Sequence, residues 1–245
     1  KARHAITGFE IDLTRSQSIN VETYIKDFNQ LTDINRDKIY NDVPEFQDKP
    51  DRLRQDFIIE KGLAYGIDFN YELDMSPFYL WVVYSLSYVQ RFDDIRTYNP
   101  HWDRRHNINI LASYNLGKSE VSKGSPLWQF SARWNLGSGF PFTEQQGFYE
   151  YLDFQQDGVN TDYTTENGEL GIIYSEINEG RLPYYHRLDL SASRFIYFKN
   201  GSVMKISGSL INSYNRENIF YFNRITNSRV NQLPILPSFV ISYDF

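Results

Sequence analysis

The chain ends PSFVISYDF, residues 237–245, and the rest of the sequence is read outward from this stretch. Phe239, Ile241, Tyr243 and Phe245 alternate with Ser238, Val240, Ser242 and Asp244. A strand with that period of two carries a greasy, aromatic row on one face and a small or polar row on the other. An ordinary edge strand of a soluble β-protein has this pattern too, so the decision falls to the remaining residues.

The composition suits strands. Aromatic residues make up 17% of the 245, with 19 Tyr and 18 Phe, and such side chains fit pleated surfaces and membrane interfaces. The mean hydropathy is −0.53, and the longest greasy run, FYLWVVY at 78–84, falls far short of the roughly 18 apolar residues of a spanning helix. That leaves a strand-built membrane protein open, because barrel strands face lipid with only every second residue. A net charge of −6 and a pI near 5.3 argue against nucleic acid as a partner. With no cysteine, neither disulfides nor thiolate metal sites can form. The start, KARHAITGFE, has no signal-peptide pattern, so an exported protein has lost its leader or the chain is a piece of a longer one.

Period-two alternation predicts nine strands, at 4–13, 19–27, 57–73, 78–92, 105–116, 127–136, 187–198, 202–214 and 237–245. The connections alternate. They are short after the first, third, fifth and seventh strands, and long at 28–56, 93–104, 138–186 and 215–236. Within the third long segment, GELGIIYS at 168–175 has the pattern of a hairpin extension. Short turns on one rim and long loops on the other predict an all-β transmembrane antiparallel β-barrel in the outer membrane, touching lipid with its greasy rows. The second row is filled with Ser, Asn, Gly, Asp, Glu and a few cations, and burying it in a dry core would strand unsatisfied groups. Tyr71, Phe78, Tyr114, Trp128, Phe198, Tyr243 and Phe245 fall at the short-turn ends as an aromatic girdle, and Arg194, on the greasy row, lies close enough to snorkel there.

DRRHN at 103–107, SGFPFT at 138–143 and GRLPYYHRLDLS at 180–191, together with the terminal aromatic strand, resemble the last strands of TonB-dependent outer-membrane receptors of Bacteroidota. The terminal strand is similar to those read by the barrel-assembly machinery. The resemblance runs from Glu60 to Phe245. It implies a plugged barrel of about 22 strands, of which this chain supplies about nine at the C-terminal end. It also implies a nutrient taken up from outside and a TonB system engaged through an N-terminal plug that this stretch lacks. Parity agrees with a partial barrel: single-chain barrels keep both termini in the periplasm, whereas nine strands put Lys1 outside, unless one strand lies hidden in a long loop.

No cofactor, metal set or catalytic signature emerges, and no enzyme activity is expected. His4, His101, His106 and His186 sit singly, and the last two fit rim hydrogen bonding. DGVNTD at 157–162 lacks the ligand spacing of a calcium loop. Ligand-binding candidates are the loop aromatics Tyr98, Trp102, Tyr149, Tyr151 and Phe154, with the interior-facing Arg91 and Arg133 for an anionic ligand or a plug. The plainer reading has these rings packing on one another and the cations lining a wet wall. Two functions stay open at this point. One is a receptor binding a bulky chelate, glycan or peptide. The other is a structural or interaction component that meets a surface lipoprotein or completes a barrel with another chain.

Overall fold

The computed structural model describes residues 1–151, 169–223, 225–226 and 228–245. It is all-β and antiparallel. In chain order the strands are β1 (Ala2–Thr14), β2 (Gln17–Ile34), β3 (Phe57–Met75), β4 (Phe78–Phe92), β5 (Thr97–Tyr98), β6 (His106–Lys118), β7 (Pro126–Gly137), β8 (Pro141–Phe142), β9 (Gln145–Tyr151), β10 (Glu169–Tyr174), β11 (Gly180–Arg181), β12 (Tyr185–Tyr197), β13 (Val203–Ile211), β14 (Ile219–Asn223), β15 (Ser228–Asn231) and β16 (Leu236–Asp244). A 3-10 turn at Pro44–Phe46 and one helical turn, α1 (Asp51–Arg54), sit in the first long loop.

The main sheet runs β1-β2-β3-β4-β6-β7-β12-β13-β16, with β5 paired to the end of β4. Each of these long strands overlaps a stretch read from the alternation, with different bounds, and each pairs with the next long strand along the chain. The sheet is an open ribbon whose edges are β1 and β16. Three irregular assignments are corrected. β2 continues to Ile34 because a bulge between Phe28 and Leu31 breaks the period of two and then lets pairing with Phe57–Glu60 resume. Within 138–186, β8 pairs β11, and β9 pairs β10 at the predicted 168–175 extension. Within 215–236, β14 and β15 form a short hairpin whose register also shifts, between Ile219 and Tyr221.

Register carries the face pattern across the sheet. The line Ile11, Ile19, Tyr71, Val82, Ile110, Trp134, Leu188 crosses seven strands and is apolar throughout. One residue away, Glu10, Asn20, Asn70, Val83, Asn109, Asn135 and Arg187 form a line that is polar apart from one valine. A slip of one residue at any ladder would mix the rows. Further along, Ser113, Ser131, Ser191, Ser209 and Ser238 make an unbroken serine line on the polar face.

Among the described residues no second layer packs on either face. The buried apolar side chains among them are Ala64, Tyr98 and two loop-end prolines, Pro100 and Pro141, while Phe9 is 55% exposed and Phe239 68%. The fully buried large side chains are Glu60, Asn212, Asp103 and Pro100, all at the long-loop end. The strands are also staggered. Ile11 lies three residues from the end of β1, and Leu188, straight across the ladders, lies nine from the end of β12. A slip of about six residues over six ladders inclines these strands by roughly 35° to the line of turns.

Candidate functional site at the long-loop rim

Where the polar face passes the last rows of the sheet, side chains from three long loops converge. Glu60 points inward from β3 with its side chain 0% exposed, and its carboxylate accepts the Tyr98 hydroxyl at 2.7 and 2.8 Å and Arg91 Nη1 at 3.2 Å. Arg91 also reaches Asp33 at 3.0 Å, and Arg36 donates to Asp33 at 2.9 Å and to the Tyr98 oxygen at 3.1 Å. Two carboxylates thus face two guanidinium groups around one phenol. Burial pushes the Tyr98 hydroxyl up to about 12, with Glu60 adding to the rise and Arg36 opposing it.

A second knot ties the loop of residues 35–56 to the loop of residues 93–105. Asp37 accepts Arg96 Nη2 at 2.6 and 2.8 Å and both Nε and Nη2 of Arg52. Asp93, nearly buried, accepts the backbone N–H of Arg96 at 2.7 Å and of Ile95 at 3.1 Å. Burial raises both carboxyls, but the donors and cations outweigh it and hold Asp37 and Asp93 below the usual range. A third knot adds the loop of residues 138–184. Asp103, fully buried, accepts Arg181 at 2.5 Å, Arg105 at 3.3 Å and the Val89 N–H at 3.1 Å, and Asn178 donates to the Asn99 carbonyl at 2.8 Å.

Below these knots, on the polar face, a cleft of about 430 Å³ is lined by Arg104, Arg133 and Arg187 with Asn107, Asn109 and Asn135. Arg187 pairs with Asp189 at 2.9 Å, and Arg133 stands opposite Asp189 in the ladder. Arg104 lies over the Phe140 ring at 4.1 Å, with its buried Nε unbonded. Burial, with no carboxylate beside it, lowers the Arg104 guanidinium from its ordinary value. Three guanidinium groups facing one carboxylate, beside three amides, suit an anionic or hydroxyl-rich solute.

The rim brings together three of the residues proposed from sequence. Arg91 lies 4.9 Å over the Trp102 ring while bonded to Glu60, and Glu60 binds Tyr98. Trp102 is 48% exposed beside His101, but Tyr98 is buried, so it serves as an internal hydrogen-bond donor and not as an open platform. Arg133 lies apart, in the lower cleft. Tyr149 stands on β9 opposite Gly171, exposed at 46%. Tyr151 ends β9, and Phe154 and the DGVNTD stretch lie outside the described residues. His106 and His186 hydrogen-bond Tyr84 at 3.0 Å and Tyr214 at 2.7 Å, in keeping with rim hydrogen bonding.

Glu60, Asp37 and Asp103 organise the rim but were invisible as such in the sequence. The available signal was the run of cations at Arg91, Arg96, Arg104 and Arg105, which demands nearby carboxylates. Among the described residues no group of three or more His, Asp or Glu side chains is placed to hold a metal ion. Compared with protein-family models, with curated proteins and with solved structures, the chain finds no match.

Proposed function

We infer that this chain is the C-terminal part of the β-barrel of a TonB-dependent outer-membrane receptor, which captures a bulky nutrient at its long loops for energised uptake. One observation carries the reading: the greasy row is continuous across the ladders and open to its surroundings, and, prolines aside, only Ala64 and Tyr98 are buried apolar side chains among the described residues. A water-soluble sheet hides such a face against a second layer, whereas a barrel wall turns it to acyl chains. The stagger of the strands and the division between short turns and long loops support it. The loop knots and the arginine-asparagine cleft below them supply a rigid, polar mouth suited to a chelate, glycan or peptide.

The unpaired flanks favour one companion reading. β1 is exposed along its length, as is β16, so the ribbon is a structural component completed by further strands, from the same polypeptide or from another chain.

The chain has no cysteine, so single-cysteine variants give a clean test. Dyes at positions 67, 110 and 206 are quenched by brominated lipid tails, and dyes at 68, 111 and 207 are not. Equal quenching of both sets defeats the barrel reading. For the receptor step, chelates, glycans and peptides are screened for quenching of Trp102 fluorescence, with Trp102→Phe as the control. Uptake of a binder by cells then stops on adding an uncoupler, and uptake that persists defeats energised transport.

A further inference from the structure

On the greasy face, the ladders joining β6, β7, β12 and β13 carry their smallest outward residues. Ala112, Ala132, Ala192 and Gly208 form the floor of a groove of about 630 Å³, and Phe130 and Leu210 stand among its walls. That volume is within the range of roughly 300–1,000 Å³ typical of small-molecule sites. The groove is open above Gly208, where an added Cβ would meet nothing within 4 Å.

Two residues beyond Ala192 toward the short turns, Arg194 stands on the same outward row. Between the level of Trp128 and the level of Tyr65 and Tyr88 it is the one charged side chain of that row among the described residues. Its guanidinium lies 5.1 Å over the Trp128 ring and gives one hydrogen bond, to the Leu127 carbonyl at 3.4 Å; it has no carboxylate partner in the described residues. A guanidinium has five N–H donors, and a cation without a counter-ion on a lipid-facing surface is costly. At the aromatic girdle, headgroup phosphates are the anions within reach.

We propose that this face binds one anionic phospholipid, with its phosphate on Arg194 and an acyl chain in the Ala112–Gly208 groove. The site rests on the reading that the greasy face meets lipid. The groove takes an apolar rod, and the cation at its short-turn end fixes which end of the rod is charged. Because no carboxylate pairs with Arg194, a headgroup ammonium finds no counter-ion there, and a net anionic headgroup is favoured over a zwitterionic one.

The test is native mass spectrometry of the intact, delipidated protein in detergent. It is titrated with dioleoyl phosphatidylglycerol, with phosphatidylcholine of the same chains, and with glycerol 3-phosphate as a headgroup without chains. The protein retains one phosphatidylglycerol in preference to phosphatidylcholine and does not retain the free headgroup. Arg194→Gln lowers retention roughly ten-fold, the scale of one charge-assisted contact. Gly208→Leu, whose Cβ enters open space, lowers it comparably while β-sheet circular dichroism is unchanged. Equal retention of the two lipids, retention unaltered in both variants, or equal binding of glycerol 3-phosphate overturns the site. A protein that stays in solution without detergent sinks the lipid-facing reading itself. A protein that needs detergent but binds lipid independently of Arg194 sinks only this site.

Discussion

Glu60 is held by what surrounds it: a carboxylate with no access to water survives because Tyr98 and Arg91 bond both of its oxygens. Removing one member of a buried ion pair leaves its partners uncompensated, and Glu60→Ala is expected to destabilise the fold by about 3 kcal/mol or more in denaturation from detergent. Glu60→Gln keeps an acceptor for Tyr98 and leaves Asp33 to Arg91, so it costs less. An alanine variant as stable as the parent would show the knot to be dispensable. The same residues set the pH range. Native Asp37 and Asp93 sit below their unfolded values, so their contribution is complete above about pH 4 and is lost as pH falls through the lowered values. Tyr98 behaves in the opposite sense. Its native value is raised to about 12, so its contribution is complete below about pH 10 and is lost as pH rises through the native value. Resistance of the loops to limited proteolysis is therefore expected to be level from about pH 5 to 9 and to fall on either side. Local pairs such as Asp103 with Arg105 lie two residues apart, but the contacts that tie the loops together were not legible in the sequence, because they join residues 14 to 78 apart.

Among the elements, the long strands were legible and their upper ends were not. Alternation marks a strand wherever one face is apolar, which is why the nine ladder strands emerged. At Phe28 to Leu31 the bulge shifts the phase of β2, and the residues beyond it read as loop although they pair with β3. The short pairs β8–β11 and β14–β15 have too few residues to show a period. Gly66 offers a test at this scale. Its position under Tyr24 leaves no room, since a Cβ there would lie 2.7 Å from the Tyr24 hydroxyl and 2.5 Å from the Leu86 carbonyl oxygen. The carbonyl belongs to the adjoining strand and cannot swing aside. Gly66→Ala is expected to cost about 1–3 kcal/mol in the same denaturation measurement, and a neutral result would mean that the β3–β4 ladder adjusts freely.

At the scale of the whole molecule, the outward face is bounded. Aromatics mark its short-turn end at Tyr114 and Trp128. At the other end Tyr65 and Tyr88 stack at 5.0 Å just before polar Asp27 and Gln90 enter the row. Along β6, Tyr114 to His106 spans about eight residues, or roughly 22 Å across the sheet at the tilt found here, and the proposed barrel sets this against the apolar band of about 25 Å that outer-membrane barrels present. Spin-labelled lipids of graded depth are expected to find labels at Ile110 deepest and labels at Tyr114 and Tyr88 near the two surfaces. A flat profile would contradict the orientation. β1 and β16 are the two edges of the sheet, and further strands of the proposed wall would join there.

The rim knots chain the mouth into one piece. Arg96 of one loop grips Asp37 of the loop before it, and Arg181 of the loop after it grips Asp103. On the proposed receptor reading, none of these three loops lifts alone, and entry to the interior is a concerted event with one opening free energy in place of three. Amides of Asp37, Arg96 and Arg181 should therefore exchange with deuterium at a shared rate, and breaking either clasp should speed all three together.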